Sequence, residues 1–366
     1  MKCQNQERKI GSFHPLEFKP DLADAHRRWE AYWAGELLDR PVVTAWYNSP
    51  GTIFQTGSTY YDRAHGDMNA ILERVLRNAQ DGEFLAETIP QLWTSFGPDE
   101  IAAFCGGNLE WAADRSGDTN WSKPFINDWD RDLPLAIRPD SPLWQRMRTF
   151  FRQAAEKLGG RMLLCSPDLH TNMDLLAAVR GPERLCMDLV DNPSAIDRAM
   201  QDAVRVFEDV WTMCRTEGRM DEYGYAALGY SMEGAAVLQC DFSAMIGPEM
   251  FRRWVRPALE QEAALVKHAI YHWDGPQALV HFDTLVDIAG LHTLSFVPGT
   301  GGKRHSEHLD LFKQVQARGK AVHVWGTVEE LKVMHKELDP ARVIYQPEVA
   351  NRKELEGFLR WLTRNT

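Results

Sequence analysis

Residues 235–275 read AAVLQCDFSAMIGPEMFRRWVRPALEQEAALVKHAIYHWDG, and this stretch decides the fold. It opens on a short apolar run, 235–239, bounded by polar residues, which predicts a buried strand. Gly247-Pro248 then marks a helix start, and a long helical pattern runs from 248 to 267. A second apolar run, 269–272, predicts the next strand. Strand, long helix, strand is the unit of a parallel sheet covered by helices, because parallel neighbours need a long connection.

The same alternation extends both ways. Runs at 42–46, 84–89 and 162–165 precede the unit, and runs at 293–297, 321–325 and 343–345 follow it, which makes eight. Helical patterns at 276–287, 306–318, 328–336 and 353–363 separate or follow the later runs, and Gly319 stands where a helix C-cap would stand. Eight such units predict an α/β fold of the TIM (β/α)8 barrel type, with an open doubly wound sheet as the alternative. Ahead of them, in DLADAHRRWEAYWAGELL, Leu22, Ala25, Trp29, Trp33 and Leu37 recur at helical spacing. The expected organisation is an N-terminal tail and helical extension, 1–40, packed on a single barrel domain, 41–366. The stretch 108–138 is irregular and predicts an excursion from the repeat.

Composition removes several function classes. The chain has 366 residues, and 41 Lys and Arg against 52 Asp and Glu leave a net charge of −11, which disfavours a nucleic-acid surface. A hydrophobic share of 44% with 25% charged residues is globular rather than disordered composition. No apolar run approaches the roughly 18 residues of a membrane span. The opening MKCQNQERKIGSFHP has no apolar core of a secretory signal, so a cytoplasmic location is expected. Cys3, Cys105, Cys165, Cys186, Cys214 and Cys240 are scattered, with no CxxC pair, and read as reduced thiols.

In a barrel, reactive groups belong at the C-terminal ends of the strands. Asp168 and His170 follow MLLC, Asp241 follows VLQC, His272 and Asp274 end AIYHWD, and Glu348 follows VIYQP. On a strand, His272 and Asp274 point to one face, and an imidazole with a carboxylate is half of a site for Zn²⁺ or a similar cation. Glu348 is the candidate third ligand; a plain His–Asp hydrogen bond and helix capping by Glu348 are the competing readings. Asp168, His170 and Asp241 are candidates for substrate orientation or proton transfer. Asn172 and Asp174 read as helix caps, Asp174 also as a substrate contact. Trp46, Trp93, Trp273 and Trp325 fall near strand ends; the last three are candidates to line a substrate pocket. PGTGGKR is not a P-loop, since Arg304 stands where Ser or Thr would bind magnesium.

VLQCDFSAMIGPEMFRRWVRPALE resembles the stretch of the uroporphyrinogen decarboxylase superfamily in which an Asp precedes a Pro-initiated helix, a Phe and a later Pro. SPDLHTNMDLLAAVRGPERLCMDLVDNPSAI is similar to the segment after that superfamily's third strand, and YHWDG with FVPGTGG looks like its His-x-Cys-Gly or His-x-Asp-Gly strand end. The resemblance runs from about Phe84 to the C-terminus and implies a TIM barrel. It also implies one of two activities: decarboxylation without a cofactor, or zinc-dependent methyl transfer with corrinoid proteins or thiols. The decarboxylases carry an arginine-containing run after the first strand, where this chain reads TAWYNSPGTIF. Without that cationic cradle, neutral or cationic ligands are expected rather than polycarboxylates. His272 matches the zinc-binding His of the methyltransferases, Asp274 replaces the first Cys, and Glu348 falls in the region of the later one. The resemblance therefore implies a metal-assisted methyltransferase using zinc or a similar divalent metal, with a corrinoid carried by a separate protein as partner. The alternatives are a metal-independent decarboxylase or lyase acting through Asp241 or Asp168, and a non-catalytic barrel that binds a small molecule. No nucleic-acid or membrane partner is expected, and a homodimer remains open.

Overall fold

The computed structural model describes residues 13–45, 58–112 and 119–366. Its strands are β1 (Val42–Val43), β2 (Gln91–Leu92), β3 (Asn108–Trp111), β4 (Asn120–Lys123), β5 (Leu163–Leu164), β6 (Tyr225–Ala226), β7 (Tyr230–Ser231), β8 (Ala235–Gln239), β9 (His268–Asp274), β10 (Leu291–Val297), β11 (Ala321–Thr327) and β12 (Val343–Glu348). Six of them form one sheet in the order β1-β12-β11-β10-β9-β8, and every pairing in it is parallel. The sequential order β8 to β12, each strand beside the next, is what helical crossovers of similar length produce.

The other strands are short. β2 pairs with β5 in parallel, and single bridges join Thr44 to Ala86 and Cys165 to Ala226. Among the described residues the ladder does not close into one ring, so the fold seen is a mixed α/β structure with a six-stranded parallel sheet. The gap has a local cause at the expected strand 84–89. There side chains take the hydrogen bonds that a neighbouring strand would take: Val43 N donates to Glu87 Oε2 at 2.9 Å and Ala45 N to Thr88 Oγ1 at 2.9 Å. Regular pairing starts only at Gln91. Trp46 lies outside the described residues, as does most of 44–54.

Strand residues alternate between two layers, as the pleat requires. Ile270, Ala321 and Ile344 join the side chains of Trp29, Tyr32 and Trp33 in one cluster, while Tyr271, Trp273, Leu294, Phe296, Val322, Val324, Val343 and Tyr345 join the helices in the other. The helix Leu22–Trp33 covers the N-terminal ends of the strands. Trp29 Nε1 donates to Glu87 O at 3.0 Å, Trp33 Nε1 to Tyr230 O at 2.8 Å, and Tyr32 Oη meets Thr293 Oγ1 at 2.6 Å. The predicted helical stretch 248–267 is present but interrupted: Phe251–Val255 is a π-turn between Pro248–Met250 and Arg256–Leu265. Pro257 cannot donate back to the preceding turn, and the chain widens there instead. The irregular stretch holds the β3–β4 hairpin and the short helix Trp129–Asp132. No described helix is long and apolar enough to cross a membrane.

Candidate active site

Because residues 270, 272 and 274 share a strand face and Ile270 packs in the inner cluster, His272 and Asp274 belong to the inner face at the carboxyl end of β9. Register places His272 between Gln239 of β8 and Ser295 of β10. A polar row continues from there. Ser295 Oγ is 3.0 Å from His323 Nδ1, and His323 Nε2 is 3.1 Å from Gln346 Oε1. Burial pulls the His323 imidazole down to about 4, so it is neutral at physiological pH. On the other flank Gln239 Nε2 donates to Asp168 Oδ1 at 2.5 Å.

Asp168 opens the densest part of the site. Its Oδ1 is 3.4 Å from His170 Nε2, and His170 Nδ1 is 4.0 Å from Asp174 Oδ2. Asp174 Oδ2 accepts from Asp241 N at 2.9 Å and its Oδ1 from Phe242 N at 2.8 Å. Sequence-distant carboxylates are thus brought around one imidazole. Burial opposes the charge on His170, but Asp168, by charge and hydrogen bond, with Asp174 and Asp241 behind it, pushes the imidazolium up to about 10. Burial would raise Asp168, yet the His170 charge, its hydrogen bond and that of Gln239 hold it below the usual carboxylate range. Asp174 and Asp241 are both raised, Asp174 by burial and the charge of Asp241, Asp241 by burial with Asp274 and Asp168 adding. Asp241 Oδ1 is buried and has no hydrogen-bond partner among the described residues.

The expected groups therefore divide. Asp168, His170, Asp174 and Asp241 meet, with His272 and Asp274 close enough for their charges to act on Asp241. Asp174 does not cap its own helix, Asn172–Arg180; it caps the 3-10 turn Asp241–Met245. Trp273 is a correction. It is 1% exposed in the outer apolar layer, against Phe282 and Phe296, and its indole N–H is bound to Ala278 O at 2.9 Å, so it does not line the site. The pleat explains this, since Trp273 alternates with His272 and Asp274. Trp93 packs half-buried against the inner cluster. Trp325 meets the His305 ring at a tilt and lines a cleft of about 240 Å³ with Val297, Lys303, Arg304 and Glu348.

Glu348 is held elsewhere. Both its oxygens lie 3.1 Å from Arg304 Nη2, and Arg304 is also bound by Glu330. Two strands, β10 and β11, stand between β9 and β12. Among the described residues no group of three or more His, Cys, Asp or Glu is arranged to hold a metal ion. The donor set His272, Asp274 and Glu348 thus does not fit a resident zinc as it stands. The described cysteines, Cys105, Cys165, Cys186, Cys214 and Cys240, are free thiols, and burial raises the first, second, fourth and fifth of these further above the thiolate range.

Sequence reasoning missed the residues that support this cluster. Glu100, fully buried, accepts from Ser95 Oγ at 2.8 Å, Phe96 N at 2.7 Å and Asp168 N at 3.0 Å. Burial raises it to about 8 against those hydrogen bonds. Glu262, also fully buried, accepts from Thr171 Oγ1 at 2.8 Å, and burial raises it to about 7. Acids on helices read as solvent-facing, and no local signal distinguishes these two.

No protein-family model matches the chain, and no curated protein matches it in sequence. Among solved structures it is similar to a methyltransferase from Methanosarcina mazei, with a TM-score of 0.61 and 14% identity. The likeness covers 96% of this chain and 99% of that one. At that identity it speaks to the fold alone.

Proposed function

We propose that the chain is a methyltransferase built on a (β/α)8 barrel of residues 41–366, with the helix Leu22–Trp33 closing its base. It would take a methyl group from a small neutral or cationic donor. The observation that carries the reading is Asp241: a carboxyl raised in pKa, with one buried oxygen unpartnered, beside an imidazolium at the carboxyl ends of parallel strands. A neutral donor such as an alcohol or a methoxyarene needs a proton on its departing oxygen, whereas a cationic ammonium donor leaves as a neutral amine without one; the proton-dependent step is therefore that of the neutral donors. The methyl–heteroatom bond breaks, its electron pair stays on the heteroatom, and Asp241 supplies the proton. His170 and Asp168 hold the charge balance while Asp241 is regenerated from solvent. A corrinoid on a separate protein would supply the nucleophile that accepts the methyl group. The name of the structural neighbour supports the class of reaction, and the superfamily resemblance supports both class and barrel.

The test is direct. Purified protein is mixed with reduced cobalamin and, in turn, methanol, methylamine and a methoxyarene, and methylcobalamin is followed by absorbance and mass spectrometry. Transfer from at least one donor, reduced about 100-fold or more by Asp241→Asn, supports the reading. No transfer from any of the three, with carbon dioxide released from a carboxylated analogue instead, replaces it with the lyase.

A further inference from the structure

The loop 166–171, which carries Asp168 and His170, enters the helix Asn172–Arg180 through a left-handed residue, Asn172 at φ +46°. Asparagine tolerates that conformation better than most side chains, but it still needs holding. Its Nδ2 donates to Gln239 O at 3.0 Å and lies 3.3 and 3.2 Å from the two carboxylate oxygens of Glu262, while its Oδ1 accepts from Met173 N at 2.7 Å. The neighbouring Thr171 hydroxyl donates to Glu262 as well. Gln239 closes the circuit: its carbonyl binds Asn172 and its side chain binds Asp168.

Glu262 comes from outside the site, on the helix Arg256–Leu265. It is 0% exposed, and among the described residues no Lys, Arg or His forms an ion pair with it. Burying a carboxylate without a cation is costly, and packing alone would be served better by an apolar side chain of similar volume. An acceptor able to take Thr171 and Asn172 together is what the carboxylate adds.

We infer that Glu262 is a positioning residue: by clamping Thr171 and left-handed Asn172 it fixes loop 166–171, and so sets where Asp168 and His170 stand. The inference rests on the proton-handling reading of those two residues, and its test is chosen to stand apart from methyl transfer. The groups that face His170 are Asp168, Asp174, Asp241 and Asp99. If the loop shifts, the imidazolium moves away from Asp174 and Asp241, which stand on other elements, and Asp168 loses the Gln239 side chain that holds it beside the ring.

The experiment compares the full-length wild type with Glu262→Gln, Asn172→Gly and the double variant. Glu262→Gln keeps the volume and one acceptor, and Asn172→Gly keeps the left-handed backbone without the side chain; Glu262→Ala serves only as a stability control. Two readouts are taken: the NMR titration of His170 in histidine-labelled protein without substrate, and kcat and KM for the best donor. The expected result is a His170 titration moved to lower pH in both single variants, and a kcat lowered about 10- to 100-fold with KM little changed. The double variant should be no worse than either single one, because both cut the same clamp. A folded Glu262→Gln protein whose His170 titrates as in wild type overturns the inference, whatever its rate. Should the wild type transfer no methyl group at all, the proposed function falls while the titration still decides this point.

Discussion

Asp274 has one neighbour in sequence to explain it, His272, and another in space, Asp241. Both were expected at the mouth, because the period of two puts residues 272 and 274 on one face and the strand-end rule gathers Asp168, His170 and Asp241 there. The same period of two places Trp273 on the opposite face, in the apolar layer under the helices. The fate of Glu348 was not legible in the sequence, because its partner Arg304 lies 44 residues away on a different loop. The negative charge of Asp274 raises Asp241. An acid works only below its own pKa, so Asp274→Asn should move the alkaline limb of the pH–rate profile to lower pH. An unmoved limb would show that Asp274 does not act on the proton donor. Asp174→Asn should instead lose stability, about 1–3 kcal/mol by urea unfolding, since the amide nitrogen that replaces one carboxylate oxygen cannot accept the N–H that oxygen takes from Asp241 or Phe242.

Among elements, the late βα units were legible and the early ones were not. From β8 onward each strand is an uninterrupted apolar run beside its sequence neighbour, which is the pattern periodicity detects best. Around β1 and β2 the pairing is carried by side chains, to which hydropathy is blind. Glu87 anchors that region: Arg40 binds it through Nη1 at 2.6 Å and Nη2 at 2.9 Å, and Val43 N donates to it as well. Arg40 is 7% and Glu87 1% exposed, so the pair is desolvated. Replacing Arg40 by Met leaves buried Glu87 to the more distant Arg28, whose Nη1 lies 3.3 Å from Oε1, and should cost up to about 3–5 kcal/mol. The double variant Arg40→Met, Glu87→Gln should recover part of that loss in the same unfolding experiment. Equal costs for the single and double variants would mean that the ion pair itself matters little to the junction.

Over the whole molecule, titratable groups are segregated by end, and this predicts two different ways of opening. At the base, the Trp33 indole stacks on His268 with ring centroids 4.5 Å apart and meets His292 edge-on at 4.8 Å. Burial holds His268 down to about 4, and burial with the nearby His268 charge holds His292 down to about 3. Between pH 6.5 and 4 the unfolded chain therefore binds protons there that the folded chain refuses, and their contribution to stability falls as pH falls. At the mouth the sign reverses. Glu262, Glu100 and His170 hold protons in the folded state up to about 7, 8 and 10. Each contributes stability that is complete below its unfolded pKa and is lost as pH rises through its folded value. Acid should loosen the base first, and alkali the loop 166–171. Hydrogen exchange at pH 4.5, 7 and 9.5, corrected for intrinsic rates, reads this by peptide: protection should fall first over residues 22–33 at the acidic pH and over 166–174 at the alkaline one. His292→Asn, which carries no titrating imidazole, should blunt only the acid effect. If one peptide opens first at both extremes, the charges do not govern where the fold gives way.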